Sequence, residues 1–150
     1  MFDDHMEMYK PEKLVWNESD FEQMGWHDCP IYGIHFADNV ALDIDYLFKW
    51  VLNDQDGHYE FWISPSTLVF EQARNLEIDI DLDFVNGLEI ADIHREKNRE
   101  DEYKYHIDTQ EGDIRLIASG YKQYIRKNPI LKNSQCLTVE ERDGYFFKIK

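Results

Sequence analysis

From residue 34 to residue 50 the large apolar side chains keep to one parity. Ile34, Phe36, Val40, Leu42, Ile44, Tyr46, Phe48 and Trp50 are all even-numbered, and only Asp38 breaks the series. The odd positions, among them His35, Asn39, Asp43, Asp45 and Lys49, are mostly small or polar. Successive side chains of a strand point to opposite faces, so a period of two predicts a half-buried pair of antiparallel strands. Asp38-Asn39 marks the reversal, because Asn and Asp tolerate the left-handed backbone of a tight hairpin. One face of the resulting sheet is expected to be wet.

The same alternation recurs along the chain. Tyr59, Phe61 and Ile63 open a strand that Ser64-Pro65-Ser66 interrupts, which suits an edge position or a bulge. Leu76, Ile78, Ile80 and Leu82 alternate with Glu77, Asp79, Asp81 and Asp83. Asn86-Gly87 predicts a hairpin pairing that strand with residues 88–95. A charged loop over 96–102, a strand from Tyr103, a turn at Glu111-Gly112-Asp113 and one long strand over 114–126 follow. Residues 137–140 and 145–149 read as a closing hairpin. Near the front, Ser19 and Glu22 have the spacing of a capping box, with Gly25 as the stop of a single helical turn.

These elements predict a mainly β fold: an antiparallel β-sandwich or strongly curled sheet of eight or nine strands, with one short N-terminal helix. Residues 1–13 read as a polar arm and 14–150 as a single domain, with no linker or repeat dividing it.

Charge narrows the choice of partner. The net charge is −15, which argues against nucleic acid and against anionic membrane surfaces, and favours a basic protein or a cation. It is unevenly spread: residues 1–113 hold 28 acids and 8 bases, residues 114–150 hold 3 acids and 8 bases. The basic stretch is read as self-complementation, basic strands relieving acidic ones. Two widely separated cysteines, Cys29 and Cys136, together with the acidic start and the lack of any long apolar stretch, give a cytoplasmic expectation.

Candidate chemistry is sparse. Glu77, Asp79, Asp81 and Asp83 share one side of their strand, and Asp43 and Asp45 share a side of theirs. Both sets are read as solvated faces able to steer a basic partner. Asp92 and His94 lie on one strand side, and with His27 they form the alternative, a metal or small-ligand site. Asp54-Gln55-Asp56-Gly57 lacks the ligands that would complete a calcium loop. His27-Asp28 would form a direct pair only across a turn. The reading preferred is structural, with Trp26 anchoring the short helix while His27 and Asp28 satisfy backbone groups at the strand entry. No nucleophile elbow, phosphate loop or cofactor motif is present, so no cofactor is expected.

Trp26-His27-Asp28, followed by Ile31, Ile34 and Leu42-Asp43-Ile44-Asp45, resembles small bacterial β-rich domains in which an aromatic or Leu before His-Asp opens a hairpin. Some of those domains are of unknown function and some are assigned as immunity proteins of polymorphic toxins. The likeness runs over residues 25–126, through Phe70, Leu76, Leu88-Glu89-Ile90 and the strand from Ile114. It implies a cytosolic, non-enzymatic, β-rich protein and carries over no catalytic residues. The leading expectation is a non-enzymatic acidic binding domain, immunity-like, shielding a basic toxin or enzyme. A structural homodimer is the remaining alternative.

Overall fold

The computed structural model describes residues 9–83 and 87–143. It is mainly β. Ten strands form one antiparallel sheet: β1 (Val15–Asn17), β2 (Pro30–Phe36), β3 (Val40–Leu52), β4 (Tyr59–Glu71), β5 (Arg74–Ile80), β6 (Leu88–Arg99), β7 (Glu102–Thr109), β8 (Gly112–Ala118), β9 (Gly120–Ile125) and β10 (Ile130–Lys132). Their order is β1-β9-β4-β3-β2-β6-β7-β8-β5, with β10 added beside β4. The sheet does not close. The sheet bends, and among the described residues its joint with the fewest paired positions is that of β2 with β6, Pro30↔Glu89 and Ile31↔Leu88. The bend brings distant strands together: the Phe70 ring of β4 lies 5.0 Å from Tyr105 of β7, and Tyr105 lies 6.1 Å from Tyr121 of β9.

The hairpin read from parity is β2–β3, with Phe36 opposite Val40. Its even side supplies Leu42 and Ile44, fully buried, and Tyr46 to the core. The wet odd side is where the expectation fails. Every residue of β3 from Val40 to Leu47 is buried, Asp43 and Asp45 completely. The chain after β9 supplies the cover, because Leu137 and Arg142 both bond the Asp45 carboxylate.

Other differences have equally local causes. Pro65 does not interrupt β4. Its carbonyl accepts from the Arg126 N–H at 3.0 Å, and a residue's nitrogen and carbonyl point to the same side of a strand. Its missing N–H therefore faces the gap where β4 changes neighbour from β10 (at Phe61–Ile63) to β9 (from Ser66). The stretch expected as one strand over 114–126 breaks at Ser119 into β8 and β9, which pair in different halves of the sheet. The strand β5 pairs with β8 and not with β6, so the Asn86-Gly87 hairpin does not join neighbours in the sheet; Asn86 itself lies outside the described residues. The expected loop over 96–102 is largely strand, since β6 and β7 pair as far as Arg99↔Glu102. Residues 137–140 form no strand, and 145–149 lie outside the described residues.

The helix near the front is a 3-10 turn, Glu18–Gln23. Its cap is Asn17, not Ser19: the Asn17 side chain accepts from the Ser19 N–H at 2.8 Å, and the Asp20 carboxylate accepts from the Asn17 N–H at 2.9 Å. Asp20 thereby takes the place expected of Glu22, two residues earlier because the cap is also two residues earlier.

Candidate functional site

The half of the sheet made by β6, β7, β8 and β5 carries two contrasting faces. Residues directly opposite each other in antiparallel strands share a face. The register places Ile78, Ile114, Ile107 and Ile93 in one row across the four strands. Three of them are buried, and Ile78 on the edge strand is 43% exposed.

The next row points the other way, and it is made entirely of aspartate. Asp79 of β5 faces Asp113 of β8, Asp113 faces Asp108 of β7, and Asp108 faces Asp92 of β6. Neighbouring strands lie about 4.8 Å apart, so the four carboxylates form a ladder across the outer surface. Beside it runs a second outward row of Glu77, Arg115, His106 and His94. Like charges placed directly opposite each other destabilise a sheet. The second row offsets part of that cost.

His106 Nε2 lies 2.6 Å from Asp113 Oδ1, and Arg115 Nη2 lies 3.7 Å from the same oxygen. The His106 bond, with Arg115 adding to it, holds the Asp113 carboxyl below the usual carboxylate range. His94 Nε2 lies 4.0 Å from Asp108 Oδ2, and the two imidazole rings are 5.6 Å apart. The ligand atoms of His106, Asp108 and Asp113 all fall within 4.8 Å of one another, the one such His/Cys/Asp/Glu group among the described residues. An open groove of about 320 Å³ adjoins them, lined by Asn75, Glu77, Tyr105, His106 and Arg115 among others.

Sequence reasoning placed Glu77, Asp79, Asp81 and Asp83 in solvent, and all four are exposed. It also put Asp92 and His94 on one strand side, where the structure has them. It missed His106, Asp108 and Asp113 as their companions, because the signal is cross-strand register and not local spacing. The third candidate ligand, His27, is engaged elsewhere. Its Nδ1 donates to the Ala91 carbonyl at 3.0 Å, its Nε2 lies 3.4 Å from Asp28, and its ring stacks 6.3 Å from Trp50. Asp28 sits in a turn at φ 67°, and this is what lets adjacent residues meet. Its N–H donates to Ile90 of β6 at 2.8 Å, and its carboxylate accepts from Gln135 at 3.2 Å. Trp26 is buried against Phe21 of the 3-10 turn, ring centroids 5.6 Å apart, and donates through Nε1 to Gln123 at 2.8 Å.

Asp43 and Asp45 leave the steering set, since neither reaches solvent. His35 Nε2 and Thr67 Oγ1 each lie 2.9 Å from an oxygen of Asp43. Asp45 is held by Nε and Nη2 of Arg142 and by the Leu137 N–H at 3.0 Å. Arg142 also covers the Tyr32 ring at 3.8 Å. Tyr32 reaches this side because β2 bulges between Ile31 and Gly33. Burial is the largest influence on both carboxyls and pushes them up, with these hydrogen bonds opposing it.

Nucleophile chemistry finds little support in the surroundings. Burial pushes the Cys29 thiol up to about 12, the reverse of what an activated thiolate needs. Ser64 and Ser66 are fully buried. Compared with known protein families, curated proteins and solved structures, the chain finds no match.

Proposed function

We propose that the chain is a non-enzymatic binding domain that takes a basic protein partner on the outer face of β6, β7, β8 and β5. The observation that supports this reading is the row Asp79-Asp113-Asp108-Asp92. Folding gains nothing from four like charges set opposite one another, whereas a cationic surface laid across them would relieve the repulsion. The net charge of −15 extends the attraction beyond contact distance and would speed encounter. Glu77, Asp81 and Asp83 enlarge the same acidic edge. A partner of this kind agrees with the resemblance to immunity proteins, for which shielding a basic toxin or enzyme in the cytoplasm is the corresponding role. Pairing of two copies through β5 is disfavoured, since Asp79 and Glu77 would face their own kind.

The test is a comparison of captured proteins. Wild-type chain and the double variant Asp79→Lys, Asp81→Lys are used as baits at low salt, and proteins retained by the wild type alone are purified and titrated. A basic protein that binds the wild type and loses at least tenfold in affinity for the variant supports the reading. A partner that binds both equally overturns this assignment of the face.

A further inference from the structure

We propose that His94, His106, Asp108 and Asp113 form a binding site for a divalent transition metal of the zinc type. The inference does not rest on a protein partner, because it concerns the isolated chain.

The donors come from three adjacent strands, whose ladder fixes their backbones. His106 Nε2 and Asp113 Oδ1 are 2.6 Å apart, and His94 Nε2 and Asp108 Oδ2 are 4.0 Å apart. Around a tetrahedral zinc with bonds of about 2.0–2.2 Å, neighbouring ligand atoms stand roughly 3.3–3.5 Å apart. One contact is shorter than that and the other longer, each by under about 1 Å. His106, Asp108 and Asp113 already hold their ligand atoms within 4.8 Å of one another, and His94, 4.0 Å from Asp108, would complete the set by turning toward them.

The donor chemistry selects the metal. Two imidazoles and two carboxylates suit zinc and its neighbours, while calcium wants six to eight oxygens and a loop to supply them. Asp79 and Asp92 flank the site on the same ladder and add attraction for any cation. Arg115, 3.7 Å from Asp113, is the cation to be displaced. Its side chain is 53% exposed, so it can turn away into water.

The experiment uses the full chain without an affinity tag, stripped by chelator, dialysed and titrated with zinc by calorimetry and with cobalt by visible absorption. The expected result is one equivalent of zinc per chain and the absorption bands of four-coordinate cobalt. Affinity should fall at least tenfold in the variant His94→Ala, His106→Ala, and should be unchanged in His27→Ala, His58→Ala. Histidine side-chain NMR of the wild type decides the matter without any variant: zinc should move the His94 and His106 resonances and leave those of His27, His35 and His58 in place. No saturable binding, or a shift confined to other histidines, would overturn the site.

Discussion

Arg142 reaches across 97 positions of chain to hold both carboxylate oxygens of Asp45, with Nε 3.0 Å from Oδ1. The contact pins the segment after β9 onto the outer side of β3 and so keeps Val40 to Leu47 of this strand from having a wet face. Asp45 is fully buried and Arg142 nearly so. Removing one member of such a pair strands a charge away from water.

Arg142→Ala should therefore lower unfolding free energy by about 3–5 kcal/mol, as read from urea denaturation. The double variant Asp45→Asn, Arg142→Met should recover much of that loss, since no uncompensated charge remains. Limited proteolysis should cut Arg142→Ala within residues 127–141 sooner than the wild type.

Trp26 offers a second pair to break. Its indole N–H donates to the Oε1 of Gln123, which is fully buried. Trp26→Phe leaves that carbonyl without its donor and should cost about 1–3 kcal/mol from desolvation, beyond the lost packing. Adding Gln123→Leu to Trp26→Phe should be milder than the two single changes summed, as the denaturation midpoints of the four proteins would show.

Asp20 supplies a pH dependence. Bonds from Lys13 Nζ at 2.7 Å and from the Asn17 N–H at 2.9 Å hold its carboxyl below the usual range. A carboxyl depressed in the folded state contributes stability that is present above its unfolded value near about 4 and is lost as pH falls through the folded value. Asp20→Asn should cost about 1 kcal/mol at pH 7, the usual net worth of a hydrogen bond, since it weakens the bonds from Lys13 and the Asn17 N–H. The gap between wild type and variant should shrink as the pH is lowered below about 4, measured by denaturant titration at each pH.

The inward half of the fold was legible along the chain. Leu42, Ile44 and Tyr46 follow from parity, because core burial acts on each strand separately. The outward half was not. Asp43 and Asp45 look solvent-facing beside small and polar neighbours, and nothing near them reveals that Arg142 will arrive from the far end. The aspartate row was hidden for a related reason. Asn86-Gly87 suggested that β5 lies beside β6, whereas β8 separates β5 from β7 in the sheet. Only that order brings Asp79, Asp113, Asp108 and Asp92 into line. Asp92 and His94 could be found because they are two residues apart on one strand; His106, Asp108 and Asp113 join them through register alone.

The most direct measurement is the association rate of the chain with its purified partner at low and high salt, for the wild type and for Asp79→Lys, Asp81→Lys. An acidic docking face predicts a wild-type rate that drops at least about tenfold between 50 and 300 mM salt, because screening shortens the reach of the field. The variant should associate more slowly at low salt and respond less to added salt. A wild-type rate indifferent to salt, or a variant matching the wild type throughout, would contradict the account.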